Sequence, residues 1–356
     1  MVEAETMNVS PQGLKRLVVL GAGSWGSTLA LVWSQAGKDV AIWTQTEKKA
    51  EQINTTHTIE KPLTVQLPSQ VRAYSDLTDC LATADALIFC LTSQSLRSVA
   101  QRVQEALRSL PDRENIPLIS AVKGLELSTK MRMSQLLEQE IPGHPVFSLS
   151  GPNLAREILA GQPTASVIAA HDIRDAEAVQ QALTVPKLRM YSNDDLAGVE
   201  LGGTLKNVIA IAAGVSDGLN LGANAKAALL TRGLAEMTRL AVKLGARPST
   251  LAGLSGMGDL FATCSGPTSR NYLLGMELAK GKSLDEVLRE VGAVIEGVPT
   301  TEAVCELSKT LRLELPIAEQ VEATLKGKST PKEAIMTLMQ RRLVHEFGEF
   351  GELSTT

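Results

Sequence analysis

Apolar positions in the first half of the chain come in short runs separated by polar, glycine-bearing stretches. Residues 15–20 (KRLVVL), 40–43 (VAIW), 84–91 (ADALIFCL), 118–122 (LISAV), 146–149 (VFSL) and 165–170 (ASVIAA) each read as a strand. The run 84–91 reads as buried on both faces. Between most of these runs the apolar spacing turns helical. Leu29, Val32 and Trp33 mark one helix, which stops at Gly37, and 96–110 is another. Strands alternating with helices predict a parallel sheet covered on both faces. Such a sheet binds ligands beyond the carboxyl ends of its strands.

From about Leu196 the strand pattern disappears. Residues 201–219 (LGGTLKNVIAIAAGVSDGL) are apolar nearly all round between Leu205 and Val215, with Lys206 and Asn207 as the exceptions. A helix apolar on every side is a buried helix. Residues 223–244 read as a long amphipathic helix ended by Gly245, and the rest through Arg342 is helical and amphipathic. The pattern divides the chain into a flexible leader (1–14), an α/β domain (15–195), a helical domain (196–344) and a disordered tail (345–356).

A length of 356 residues suits about two domains. Aromatic residues make up only 3%, so the core must be aliphatic. A net charge of −4 provides no field to draw in nucleic acid. No uninterrupted apolar run approaches the ~18 residues of a membrane span. The four cysteines, Cys80, Cys90, Cys264 and Cys305, show no metal-ligand spacing and read as reduced thiols in a cytoplasmic protein. No metal site is expected. The N-terminal segment carries two glutamates and no apolar core, so it does not read as a signal peptide.

The candidate chemistry lies where the strands end. Gly21, Gly23 and Gly26 form G-x-G-x-x-G directly after one strand and open a helix. In that context Gly21 permits the tight turn, Gly23 lets backbone N–H groups approach a pyrophosphate, and Gly26 lets the helix pack on the strand. The end of the second strand carries Thr44 and Gln45, neither acidic nor basic. Lys48 and Lys49 follow, either reaching a 2′-phosphate or lying solvated on a helix surface. Nothing there would repel a 2′-phosphate, which tilts the cofactor expectation from NAD(H) toward NADP(H). Lys123 and Gly124 follow the fourth strand, and Ser150, Gly151, Pro152 and Asn153 follow the fifth.

In the helical half, Lys206 is the anomaly. An unpaired ammonium among apolar side chains is costly unless it finds partners or gives up its proton. The plain alternative is a first-turn lysine reaching solvent. Asp259 stands in an otherwise apolar GMGDL. Ser269, Arg270 and Asn271 start a helical run and suit a small phosphate, or else form an ordinary helix start with a surface arginine. Glu296 sits between an apolar run and a turn, where a structural salt bridge is equally open. None of the four histidines neighbours a candidate acid in an apolar run, so lysine must carry any proton transfer.

In order along residues 17–342, GAGSWGSTLA, AVKGLE, SGPNLARE, LGGTLKNVIAIAAG, GMGDLFATC, TSRN and VIEG resemble the motifs of the bacterial-type NAD(P)-dependent glycerol-3-phosphate dehydrogenases. The resemblance implies a Rossmann-like N-terminal domain and an all-α C-terminal domain with the active site between them. It implies hydride transfer between a nicotinamide and C2 of sn-glycerol 3-phosphate, giving dihydroxyacetone phosphate and supplying the glycerophospholipid backbone. By this resemblance Lys206 falls on the catalytic lysine. Lys123, Gly151, Asn153, Lys206, Asp259, Ser269, Arg270 and Asn271 fall on substrate-contacting positions. Ser24, Trp25, Gln45, Lys123, Ala155, Arg270, Val294 and Glu296 join the three glycines on the cofactor side. Gln45 stands where many relatives carry His or Arg; Asn153 replaces a common Ser or Thr, and Leu154 a common Phe. The expected partners are a small phosphorylated substrate and, in a homodimer, a second copy. Neither nucleic acid nor stable membrane insertion is expected. Two other readings compete: a β-hydroxyacid dehydrogenase of the wider superfamily, which has less need of TSRN, and a dinucleotide-binding redox sensor, which needs no buried lysine.

Overall fold

The structure is a computed structural model that describes residues 13–343 except 112, together with 346. The expected leader (1–14) and tail (345–356) therefore lie outside the described residues, apart from Gly13, Leu14 and Glu346. Leu14 is buried, and its carbonyl accepts from Lys38 Nζ at 2.8 Å, so the N-terminal core begins one residue before the expected boundary.

Among the described residues there are ten strands: β1 (Arg16–Leu20), β2 (Asp39–Trp43), β3 (Thr58–Ile59), β4 (Val65–Gln66), β5 (Arg72–Tyr74), β6 (Ala86–Phe89), β7 (Leu118–Ser120), β8 (Val146–Ser150), β9 (Thr164–Ala169) and β10 (Leu188–Asn193). Eight form one sheet in the order β10-β9-β8-β7-β6-β1-β2-β5, and β3 pairs with β4 apart from it. Strand β1 is central, with Leu17 opposite Val40 on one side and Ala86 on the other. Helices α1 (Ser24–Gln35), α2 (Glu47–Thr56), α3 (Leu77–Leu81), α4 (Leu96–Ser109), α5 (Met133–Glu140), α6 (Ala155–Leu159) and α7 (Ile173–Leu183) connect the strands. The six strands read from the sequence are all present. Gly37 closes α1 with φ +86°, as a left-handed terminator should.

One expectation needs correction. The sheet is not wholly parallel: β9 runs antiparallel to β8, with Leu149 opposite Ile168. The link between them carries only α6, a helix of five residues. Its rise of about 7.5 Å cannot return the chain along a strand of about 17 Å. Beyond this reversal, β10 returns to parallel pairing with β9. Strands β5 and β10 lie at the two edges and were not read from the sequence. The first is short, and the second alternates buried Leu188 and Met190 with exposed Arg189 and Tyr191.

The C-terminal half is helical: α8 (Leu196–Gly218), α9 (Gly222–Lys243), α10 (Pro248–Leu251), α11 (Asp259–Cys264), α12 (Arg270–Ala279), α13 (Leu284–Val291), α14 (Gly297–Leu311), α15 (Pro316–Leu325) and α16 (Pro331–Met339). Helix α8 is its axis. It is the one described helix long and apolar enough to cross a membrane, and 89% of its apolar window is buried inside the protein, as befits a core helix. Helix α12 packs tightly on it. A Cβ on Gly214 would lie 2.0 Å from the Tyr272 carbonyl, and one on Gly275 2.0 Å from the Ile211 carbonyl. That close approach sets where the start of α12, with Ser269 and Arg270, meets the sheet domain.

Candidate active site

A cleft of about 480 Å³ runs between the carboxyl ends of the strands and the helical domain. Its floor on the sheet side is the turn between β1 and α1. Gly21 has φ +120°, and a Cβ there would lie 2.4 Å from the Cys90 carbonyl. A Cβ on Gly26 would lie 2.0 Å from the Gly21 carbonyl and 3.1 Å from Val19, so this glycine is required by helix-on-strand packing. At Gly23 a Cβ would meet no atom within 4 Å. Gly23 lines the cleft and is the N-cap of α1, which no side chain caps. The first N–H groups of α1 are thus left for an anion at the positive end of the helix. The open space over Gly23 and these N–H groups fit the pyrophosphate of a dinucleotide. Trp25 lines the cleft with a buried indole N–H that has no partner among the described residues.

The other wall contributes charge. Lys206 lies midway along α8, is 6% exposed, and so is no first-turn lysine reaching solvent. Its Nζ donates to Asp259 Oδ1 at 2.7 Å and to Thr263 Oγ1 at 2.5 Å. Asp259, 1% exposed, accepts on its other oxygen from Lys123 Nζ at 2.6 Å. Lys123 also donates to the Gly151 carbonyl at 2.9 Å. One buried carboxylate thus holds two ammoniums from two domains, and the cluster keeps a net positive charge. Burial is the main reason the Lys123 amine is pushed down to about 8; the Lys206 cation adds to this, and Asp259 opposes it. An ammonium has three donors, and Lys206 uses two, leaving one N–H for a ligand.

At the start of α12, Ser269 is the N-cap, its hydroxyl accepting from Tyr272 N at 3.4 Å. Arg270 Nη1 donates to the Val294 carbonyl at 2.7 Å. The Asn271 amide donates to Asn207 Oδ1 at 2.8 Å and accepts from Gly297 N at 2.9 Å, so most of its capacity is spent on structure. Asn153 accepts from Ser166 Oγ, and its own buried amide nitrogen has no partner among the described residues. Among the described residues Glu296 forms no salt bridge: it accepts from Ser93 N at 3.1 Å and from Ser93 Oγ at 2.5 Å, and burial pushes its carboxyl up.

Of the residues singled out from the sequence, Gly23, Ser24, Trp25, Lys123, Asn153, Ala155, Lys206, Ser269, Arg270, Asn271, Val294 and Glu296 line this one cleft. Gly21, Gly26, Gly151 and Asp259 stand behind the lining and shape it. Gln45 is exposed and does not line the cleft. Lys48 is exposed as well, whereas Lys49 donates from Nζ to the Ala22 carbonyl at 3.1 Å, against the glycine turn. Three contributors escaped the sequence reading. Thr263 follows Asp259 by four residues, one turn along the same face, and that spacing could have exposed it. Asn207 stood beside Lys206 without a role. Ser93 carried no signal at all. Among the described residues no group of three or more His, Cys, Asp or Glu could hold a metal ion. The four cysteines are free, and burial raises their thiols, to about 12 for Cys80, Cys264 and Cys305.

Comparison with known proteins was made against this geometry. Residues 16–176 match the profile of the NAD-dependent glycerol-3-phosphate dehydrogenase N-terminus, and residues 195–336 that of its C-terminus. The chain is 39% identical to glycerol-3-phosphate dehydrogenase [NAD(P)+] of Thermoanaerobacter sp. (strain X514), covering 93% of this chain and 98% of that protein. It is 43% identical to the Bacillus cereus (strain B4264) protein of the same name, covering 96% of this chain and 100% of the other. Among solved structures it is similar to glycerol-3-phosphate dehydrogenase from Coxiella burnetii, with TM-score 0.85 and 33% identity over 92% of this chain and 99% of that one.

Proposed function

The chain belongs to the NAD-dependent glycerol-3-phosphate dehydrogenase family, and from that premise we propose how its own residues carry the reaction. The protein is an NAD(P)-dependent oxidoreductase that interconverts dihydroxyacetone phosphate and sn-glycerol 3-phosphate. The observation that carries the residue assignment is the bridge Lys206–Asp259–Lys123, buried at the cleft between the two domains.

The nicotinamide, when bound, supplies or takes the hydride at the substrate's C2. The residues do the rest. The glycine turn and the uncapped start of α1 bind the pyrophosphate, with Ser24, Trp25, Ala155 and Val294 lining the space around the dinucleotide. Lys206 directs its remaining N–H at the substrate's C2 oxygen. There it stabilises negative charge as the carbonyl is reduced and delivers the proton; in reverse it receives it. Asp259 and Thr263 hold that amine in place. Lys123 gives the site a second cation. Arg270, with the free proton of the Ser269 hydroxyl, holds the phosphate at the start of α12. Asn271 acts mainly by fixing the neighbouring helices. The unpartnered Asn153 amide is a donor for a substrate hydroxyl. Thr44 and Gln45 at the end of β2, where neither is acidic, and Lys49 held at the glycine turn, support acceptance of NADP(H) as well as NAD(H). We place the activity in the cytoplasm, supplying glycerol 3-phosphate for glycerophospholipids; the free, buried thiols suit that compartment.

The test is to follow oxidation of NADH and NADPH separately as dihydroxyacetone phosphate is added. Turnover with this phosphate ester and none with β-keto acids is expected. Turnover of the acids in its place would favour a β-hydroxyacid dehydrogenase. Tight cofactor binding without turnover of any ketone would favour a redox sensor.

A further inference from the structure

The Glu296 carboxylate lines the cleft, yet both its oxygens are engaged by the other domain. Ser93, 1% exposed, opens the turn directly after β6 and donates to it from N at 3.1 Å and from Oγ at 2.5 Å. The same turn is tied to the loop after β7. Gln94 donates from Nε2 to the Leu125 carbonyl at 2.8 Å and accepts from Leu127 N at 3.0 Å. Between these ties lies Gly124, next to Lys123. A Cβ there would sit 2.5 Å from Ser93 Cβ and 3.2 Å from Glu296 Oε2. On the far side, Arg270 holds the Val294 carbonyl, two residues before Glu296. A continuous path therefore runs from the start of α12 through Glu296 and Ser93 to the loop that carries Lys123.

We propose that Ser93 and Glu296 form a strap across the cleft, a pair of positioning residues that sets the Lys123 loop of one domain against Asp259 of the other. The idea rests on the dehydrogenase reading above, and it gives Glu296 a part other than touching the cofactor. Two hydrogen bonds to a half-buried carboxylate are charge-assisted, the one from the hydroxyl short, and they form only when the two domains are in register. Ser93 touches neither reacting atom. It acts through Gly124 and Lys123.

The test is a double-mutant cycle on kcat/KM for dihydroxyacetone phosphate, with Kd for NADPH measured in parallel by fluorescence. Ser93→Ala and Glu296→Ala should each lower kcat/KM about ten- to hundredfold, the scale of a small misplacement in an active site. In Ser93→Ala, Kd should change less than about threefold, because the glycine turn is untouched. In the Glu296→Ala background, Ser93→Ala should change kcat/KM less than about twofold, because the shared contact is already gone. Two results overturn the strap: effects of the two alanines that multiply, or full turnover in Ser93→Ala. Hydrogen exchange provides a readout that needs no turnover and no variant at Glu296. In Ser93→Ala, amide protection should fall at both 92–96 and 294–297; unchanged protection at 294–297 overturns the strap. A parent enzyme inert toward the ketone, with that exchange result intact, would sink the dehydrogenase reading and leave the strap standing.

Discussion

The two halves of this molecule bring polar groups to the cleft by opposite means. In the sheet domain Gly23, Lys123, Gly151 and Asn153 lie after β1, β7 and β8, where the backbone leaves the ladder and polar chain is cheap to accommodate. The strands beneath are mainly apolar, with Trp43, Phe89 and Phe147 fully buried in them. In the helical domain the Lys206 amine sits inside the core element itself. Lys206 is surrounded by Leu205, Val208, Ile209 and the rest of a buried helix, and only partners reaching in from α11 make it tolerable. Chemistry at element ends can be altered without disturbing the core, whereas chemistry in a core helix ties activity and stability to the same contacts.

The sharpest way to break that comparison is at the buried bridge. Lys206→Ala is expected to lower kcat about 10²–10⁴-fold while Kd for NADPH stays unchanged, because Asp259 keeps Lys123 as its partner. Asp259→Ala instead leaves two ammoniums without their carboxylate and should cost about 3–5 kcal/mol of stability, read by urea unfolding. Equal stability of the two variants would mean that the partner is not what lets the helix hold its charge.

On the sheet side, two glycines of one motif should separate cleanly. Gly26→Ala drives a Cβ into the Gly21 carbonyl and should cost about 1–3 kcal/mol, seen as a lower Tm. Gly23→Ala meets no protein atom, so Tm should hold while Kd for the cofactor rises about tenfold, equivalent to about 1.4 kcal/mol. A Gly23→Ala protein that melts early and binds cofactor normally would overturn the claim that strand-end chemistry is separable from the core.

The smallest effect sharpens the link between the halves. Lys123 titrates at about 8, and its protonated form is the one that donates to Asp259 and Gly151. As pH rises through about 8 the cation is lost and kcat/KM should decline. Lys123→Arg should remove that inflection, because guanidinium does not titrate there; an inflection that survives belongs to another group. The stability contribution has the opposite sign. The ordinary lysine value is 10.5, so between about 8 and 10.5 the unfolded chain binds more protons and the native state gains as pH rises.

Periodicity revealed the elements that bury a whole face. The six aliphatic strands, the buried α8 and the amphipathic α9 were legible for this reason. The edge strands β5 and β10 were not, being short or half exposed, and the reversal of β9 was hidden because apolar spacing carries no direction. The site was legible wherever a residue type clashed with its neighbourhood. An amine in an apolar helix, a carboxylate in GMGDL and a glycine triplet after a strand all announce themselves. Thr263, Asn207 and Ser93 do not, since hydroxyls and amides are ordinary in helices and turns.

Along the chain, each residue's character and its spacing from its neighbours were enough to read a sheet half and a helical half, a mainly aliphatic core, a glycine turn between strand and helix, and an amine set in a buried helix. Pairing across the cleft was decided only in three dimensions: that one Asp259 serves both Lys123 and Lys206, and that Glu296 answers to Ser93 rather than to a cation. The reason is physical. Burial and periodicity are local properties that every residue carries with it, but a hydrogen bond forms within about 3 Å, and residues 136 or 203 positions apart come that close only when the fold brings them together.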